Sequence, residues 1–562
     1  MQIRTEMTLQ KLGFAPGKGF MFNRFMPITL LCWGLFTAAL CGIMGGCSAE
    51  HYKADADEEV YKIIESKWHS SFGQKVNYKV GDVAPSPNDV QIEKAVPSSG
   101  VISLAEAVPM ATAHNREYQR RKEDLYLSAL SLTGTRYQYT RQWFATVDGA
   151  YVDKSVDDDE FSLASALGTG QEHLLADGIK IGTSLALNWA RFLSGDPRTT
   201  LGSVLSASAA APLLGAGAGK KDWETLVQDE RLVLYDIRSF NRYRKMFVVE
   251  IVNAYYGVLQ QRDAVTNAEN NYKRVLESKE RLEMEAEAGR KTRVDVDEAE
   301  QNVLRAENTL VAAQQRYEQS LDAFKIQLSL PTDANVELDQ NELKALEEAG
   351  ISELDYTLDE AIETALLRRL DLANSADWID DALRKVILAA DGLGTQLNIT
   401  GNIEYESPEY PETDFQNLRF HEGIYNFGFD ADLPFDRKLQ RNAYRQALIT
   451  LERQQRQYED DIDTIKLAVR GAYRRLKETA DRYNIQKNSL TLANERVEMN
   501  KVLLDAGRVT TRILLLSQDA LLAAQDNVTA ALVEHLNAKL SFYRDVGILD
   551  VRPDGMWEEQ IQ

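Results

Sequence analysis

Apolar side chains recur along this chain with two different periods, and the two alternate in blocks. Val303, Leu310, Tyr317 and Phe324 return every seven residues, with Ala306, Ala313 and Ser320 three positions further on. Leu521, Val528, His535 and Phe542 repeat the pattern, with Ala524, Ala531 and Ala538, and Ile251, Val258, Val265 and Tyr272 carry it on a preceding stretch. A seven-residue period predicts helices that coil left-handedly around a neighbour, and alanine seams let the backbones approach closely. From Asp222 to Ala286 there is no proline and a single glycine. That predicts one continuous helix of roughly 100 Å at 1.5 Å per residue. Asp436 to Leu504 predicts a second of similar length.

Between these blocks the period drops to two. Leu397, Ile399, Gly401, Ile403 and Tyr405 alternate with Gln396, Asn398, Thr400, Asn402 and Glu404, and Tyr425, Phe427, Phe429, Ala431 and Leu433 alternate with Asn426, Gly428, Asp430 and Asp432. Ile181, Thr183, Leu185, Leu187 and Trp189 form one face of a further strand, and Trp143 to Val152 predicts a fourth, weaker one. Each is about ten residues, the length of a tilted membrane-crossing strand. A half-buried soluble sheet gives the same alternation. The segments joining the paired strands, Asp153 to Gly178 with its acid run Asp157-Asp158-Asp159-Glu160, and Glu406 to Arg419 with Pro408 and Pro411, are expected to be loops.

The blocks are duplicated. Ala288-Gly289-Arg290-Lys291-Thr292 aligns with Ala506-Gly507-Arg508-Val509-Thr510 at an offset of 218, as Ala254-Tyr255 does with Ala472-Tyr473. Leu104-Ala105-Glu106-Ala107-Val108 is similar to Leu358-Asp359-Glu360-Ala361-Ile362. A repeat of this length predicts two like halves in one architecture: a first repeat over 101–331, a connecting segment over 332–357, a second repeat over 358–549 and a tail over 550–562. Each half reads helix, two strands, very long helix, turn, long helix.

The first 46 residues read as an export signal. Lys11, Lys18 and Arg24 precede the apolar run Ile28 to Gly46, and the chain turns polar after Cys47. Met44-Gly45-Gly46-Cys47 resembles a bacterial lipobox, with Met44 where leucine is commoner. That resemblance implies acylation of Cys47 as the first mature residue, and Ser48 after it implies sorting to the outer membrane. Residues 47–100 then form an anchored segment, with a short helix around Asp57 to Trp68 and an irregular linker containing Pro85, Pro87 and Pro97. No other stretch approaches 18 apolar residues, so any further crossing must use strands, since open backbone is not tolerated in lipid.

Composition narrows the function. The 562 residues carry 64 basic and 86 acidic side chains, a formal charge of −22, with 44% apolar and 27% charged positions. These values describe an ordered protein, and the acidity argues against a nucleic-acid partner. The cysteines, Cys32, Cys41 and Cys47, all lie near the N-terminus, so neither a disulfide framework nor a thiolate zinc site can form beyond them. The six histidines make no His-Glu-x-x-His pair. Gly215 to Lys220 is superficially a phosphate loop, but Lys221 stands where serine or threonine is needed. No catalytic motif and no cofactor is expected, and the chain is expected not to be an enzyme.

Four strands cannot close a membrane barrel, whose minimum is about eight. The chain must therefore associate, and three copies would supply about twelve strands above a shared tube of helices. The order of elements, the Leu104-to-Glu117 segment and its second copy at Leu358, the Ala-Gly-Arg-x-Thr turns, and Ala211-Pro212-Leu213 and Leu433-Pro434-Phe435 at the strand-to-helix junctions resemble the TolC-type outer membrane efflux proteins, lipid-anchored branch. The resemblance implies a mostly helical fold with a membrane β-barrel part: a homotrimeric duct with a helical tube across the periplasm, serving as the passive exit of a tripartite efflux system. Its partners would be a periplasmic adaptor, an inner-membrane pump and outer membrane lipid. It also implies that the tip turns, Gly289, Arg290, Thr292, Gly507, Arg508 and Thr510, meet the adaptor. Glu287, Asp295, Asp297 and Asp505 are candidates for an acidic aperture there, against the plainer alternative of a solvated helix end. Other readings are a protein-secretion duct and a lipid-anchored coiled-coil scaffold without a channel.

Overall fold

The computed structural model describes residues 48–75, 77–80, 100–154, 160–175, 177–192, 199–214, 220–351, 356–407, 417–433, 435–552 and 556–559. The export signal, Cys47, the three linker prolines, Asp157 to Asp159, most of the Gly215 to Lys220 run, Pro408, Pro411 and Pro434 lie outside them. The chain divides into two units, Met1–Glu59 and Val60–Gln562. In the first, the described residues are Ser48 and the opening turns of a helix, α1 (Ala49–Lys67), which starts earlier than the sequence pattern predicts. The second unit holds all the other elements.

Each repeat opens on a capped helical pair. Ser103 and Glu106 form a capping box ahead of α2 (Leu104–His114), and Thr357 and Glu360 form the equivalent box ahead of α7 (Leu358–Arg368). The next helices are α3 (Arg116–Gln138), capped by the Asn115 side chain accepting from the Glu117 and Tyr118 N–H groups, and α8 (Leu370–Asp391). The long arms follow. They are α4 (Lys220–Glu287) and α5 (Arg293–Gln327) in the first repeat, and α9 (Lys438–Asp505) and α10 (Thr511–Val546) in the second. Helices α4 and α9 both have 68 residues and begin 218 positions apart, the offset read from the sequence. The seven-residue seams are buried as expected: Val303, Ala306, Ala313 and Phe324 on α5, and Leu521, Ala524, Ala531, Ala538 and Phe542 on α10. His535 occupies a seam position on α10, with Nδ1 3.2 Å from the Thr479 hydroxyl on α9.

The main core lies where the arms meet the short helices. It gathers Val60, Ile63 and Ile64 of α1, Leu104 and Val108 of α2, Tyr118 and Leu125 of α3, Ile237 to Tyr255 of α4, and Phe542 to Val546 of α10. A parallel strand pair, β1 (Val101–Ile102) with β6 (Glu337–Leu338), borders it, and α6 (Asn341–Ala349) follows. The C-terminal strands β9 (Leu549–Val551) and β10 (Trp557–Glu559) pair antiparallel. Arg244 is 4% exposed. Its guanidinium donates to the Gln74 carbonyl at 2.7 Å, to Asn241 Oδ1 at 3.2 Å and to the Val551 carbonyl at 3.4 Å. It thereby ties the segment after α1, α4 and the C-terminal strand together.

The sheet departs from expectation. The sequence pattern predicts two strands per half and four per chain; the structure has six in one antiparallel sheet, ordered β2-β3-β4-β5-β7-β8. They are β2 (Arg141–Lys154), β3 (Glu160–Leu174), β4 (Lys180–Phe192), β5 (Thr199–Leu214), β7 (Gln396–Glu406) and β8 (Ile424–Asp432). Most of the segment expected as a loop from Asp153 to Gly178 is strand β3, and β5 is a further strand the pattern did not show. The physical reason is low contrast. In β3 and β5 the residues opposite the leucines are glycine, alanine and serine, so hydropathy hardly alternates. Pro212, expected at a strand-to-helix junction, sits at a register shift in β5 between Pro212 and Leu214, where its missing N–H is tolerated.

Lys245 on α4 is half-buried, and desolvation pushes its ammonium down to about 8. The unfolded chain, with an ordinary lysine near 10.4, binds more protons between those values, so the Lys245 contribution makes the fold more stable as pH rises from about 8 to 10. Thermal melts of wild type and Lys245→Met across that range check this. Wild type is expected to gain relative to the variant, and a constant difference would contradict it.

Candidate functional site

Two regions of the second unit carry geometry of functional interest, the helical tips and the sheet. At the first tip, α4 ends because Gly289 takes φ +72°. The Arg290 N–H donates to the Glu285 carbonyl at 2.8 Å and the Gly289 N–H to Ala286 at 3.0 Å. The second tip repeats this: Gly507 has φ +68°, with Arg508 donating to Leu503 at 2.8 Å and Gly507 to Leu504 at 3.0 Å. Both are left-handed glycine caps of the Schellman type, in which two terminal carbonyls find donors. A side chain there costs about 1–2 kcal/mol of backbone strain.

The returning helices start differently. Thr292 and Asp295 form a capping box, with the Thr292 N–H and hydroxyl both donating to Asp295 Oδ2, at 3.0 and 2.7 Å. Those hydrogen bonds hold the Asp295 carboxyl below its ordinary range. Thr510 stands at the matching position with no side-chain cap, and Ile513 at the third position offers no carboxylate to close a capping box.

The four aperture candidates thus have different surroundings. Asp295 is held in the cap. Asp297 pairs with Arg293 at 3.4 Å on its own helix. Asp505 pairs with Arg281 at 3.2 Å, a bridge between the two tips. Glu287 is exposed. Arg512 and Glu298 make a second bridge between the tips at 3.9 Å, and Leu515 packs between Val275 and Val303. The tips therefore stand side by side. The sequence pattern missed the apolar side chains left exposed beside them, Met284, Val294, Val502 and Leu516; their signal is that they lie off the seven-residue seams. It also missed a groove of about 720 Å³ where α4, α9 and α10 meet. Small residues at Ala468, Gly471 and Ala530 leave room for it, and Asn253, Glu534 and Asn537 line it.

The sheet has two chemically distinct faces. The register places Trp143, Val147 and Tyr151 of β2 in line with Leu163 and Leu167 of β3, and with Leu185, Leu187 and Trp189 of β4. The same face continues through Leu201 and Leu205 of β5, Ile399, Ile403 and Tyr405 of β7, and Tyr425, Phe427 and Phe429 of β8. The other face carries Asp148, Glu172, Ser184, Asn188, Ser206, Asn402 and Asp430 among glycines and alanines. That polar face is concave at the end nearest the helices, where Gln142, Glu172, Gly182, Ser208, Asn402 and Asn426, one from each strand, line a hollow of about 570 Å³. Tyr151, Trp189, Tyr405 and Tyr425 stand toward the opposite end of the apolar face, with the Tyr405 and Tyr425 hydroxyls 3.0 Å apart. Apolar outside, polar inside and aromatic at the rim is the pattern of a sheet that meets lipid. Among the described residues no helix is long and apolar enough to cross a membrane.

Residues 361–547 match the model of the outer membrane efflux protein family. That stretch is similar to the outer membrane efflux proteins. The match spans the second repeat, from α7 to the end of α10. No curated protein sequence matches. Among solved structures, the chain is similar to the CmeC outer membrane channel of Campylobacter jejuni, with a TM-score of 0.57 and 14% identity over 79% of this chain and 85% of that one. It is similar to the outer membrane protein VceC of Vibrio cholerae at 0.57 and 12%, over 79% and 96%, and to the MtrE outer membrane channel of Neisseria gonorrhoeae at 0.57 and 13%, over 79% and 88%. At these identities the likeness establishes a shared fold. It supports the efflux-family resemblance read from the duplicated order of elements.

Removing the first tip's cap tests its local role. Asp295→Ala is expected to cost about 1 kcal/mol at the start of α5 and to speed amide exchange over residues 293–296. Unchanged protection there would show that the box does not hold the turn.

Proposed function

We propose that this chain is the outer-membrane exit duct of a tripartite efflux system. Three copies, each anchored by an acyl group on Cys47, enclose a passive path. The observation that carries this is the continuity of a two-faced sheet with paired 68-residue helical arms: a wall suited to lipid continues into rods long enough to reach across a periplasm. Nothing in the sequence holds a nucleotide, so the energy comes from an inner-membrane pump through a periplasmic adaptor. The glycine-capped turns, with Arg290, Thr292, Arg508 and Thr510 at their surface and the exposed Met284 and Val502 beside them, offer the adaptor its contact. Glu287, Asp297 and Asp505 ring the aperture at that end and favour cations, with Asp295 held in its capping box.

Loss of the chain in its own host is expected to raise retention of exported dyes, and Gly289→Val with Gly507→Val to reproduce that loss while the protein still assembles in the membrane. Normal dye export in the double variant would remove the tips from the mechanism. In planar bilayers, neutralising Glu287 and Asp297 together is expected to weaken cation preference several-fold; unchanged selectivity returns both to the role of solvated helix ends. Cys47→Ser is expected to abolish incorporation of labelled palmitate, and continued labelling would sink the anchor.

A further inference from the structure

Strands β3 and β4 are not an appendage to the sheet. Within the sheet β2 hydrogen-bonds to β3, β3 to β4, and β4 to β5. Lifting this hairpin out would strip β2 of its neighbour and leave β5 with β7 alone. The hairpin also shares the sheet's chemistry. Leu163, Leu167, Leu185 and Leu187 continue the apolar face without a break, and the opposite face carries Ala164, Ala166, Gly168, Gly170, Ser184 and Ala186. Close packing explains part of this choice. A Cβ on Gly170 would come within 2.6 Å of the Phe144 ring, which lies across it from β2. The hairpin turns at the helix end, where the Leu175 N–H donates to the Ile179 carbonyl at 2.8 Å and Gly178 takes φ +76°. Short turns on that side are what membrane barrels use on their periplasmic face.

Among the described residues two edges of the sheet remain open, those of β2 and β8. In lipid an open edge leaves several backbone donors and acceptors unsatisfied, each costing several kcal/mol. The largest exposed apolar side chains of the sheet stand at these edges: Trp143 is 72% and Phe427 78% exposed. Strand β2 runs away from the helices and β8 runs back toward them. Six strands is an even number, so β8 of one copy meets β2 of the next antiparallel and the up-down order continues around the ring.

Resting on the exit-duct reading with its three copies, we propose that β8 of each copy pairs with β2 of the next to close an 18-stranded barrel, six strands from each chain, in place of the twelve that the sequence pattern predicts. Diameter grows roughly in proportion to strand number, so the lumen is about 1.5 times as wide as that of a twelve-stranded ring, in the size range of general porins. Its wall along β3 and β4 is lined mainly by small side chains. The barrel admits bulky solutes without discrimination, and selection falls to the helical end of the duct.

The test is electron cryomicroscopy of the full-length, acylated protein in lipid nanodiscs, counting both copies and strands in the membrane ring. Eighteen strands from three copies is the expected result. A closed ring of any other strand number, with β3 and β4 outside the wall or with a different number of copies, overturns this proposal and leaves a duct. Absence of any closed ring overturns the exit-duct reading as well.

Discussion

A strand edge set in hydrocarbon must find a partner, and most of this molecule can be understood from that requirement. The sheet is apolar on one face along all six strands, so it belongs where water cannot satisfy its backbone. Among the described residues, one edge of β2 and one edge of β8 have no partner strand. In the proposed duct a single copy is an unfinished object, and association is part of folding, not an addition to it. In that proposal the helical arms follow from the same condition, because copies joined side by side through strands would bring their long helices into a ring beneath.

The two repeats behave as one body because charge and apolar seams join them at different heights. Along the short helices, α4 and α8 are linked by a ladder of ion pairs. Arg231 meets Asp381 at 2.7 Å and Asp377 at 3.1 Å, Arg384 meets Asp381 at 2.8 Å and Glu224 at 3.0 Å, and Arg242 meets Asp371 at 3.1 Å. Asp381 is almost enclosed and also accepts from the Tyr235 hydroxyl at 2.8 Å. Its charge is compensated on several sides, as a buried carboxylate requires. Further along the arms, the alanine seams take over and the packing becomes apolar.

The long helices were legible because their signal is redundant: seven-residue seams, prolines kept out of their interiors, and glycine at both turns agree with one another. The Thr292 to Asp295 box came from the structure, and it accounts for one of the acids that the sequence offered as an aperture candidate. The sheet was only partly legible. β7 and β8 alternate large apolar with polar residues and show plainly. In β3 and β5 the inward positions are small because neighbouring rings and strands press close, as Phe144 does over Gly170. Small residues carry little hydropathy contrast, so a membrane strand of this kind reads as a loop or a flexible junction. The salt bridges between the tips had no sequence signature, since they join residues more than 200 positions apart.

The equality of the two arms has a consequence for how such a chain can change. Helices α4 and α9 match to the residue, and bridges such as Arg281 to Asp505 hold their ends abreast. Adding one helical turn to either arm alone would raise its end by about 5 Å, turn a level rim into a staircase and break those bridges. Lengthening is open to this architecture only as a paired event, one insertion mirrored by another 218 positions away, so the reach of the molecule is inherited in matched steps.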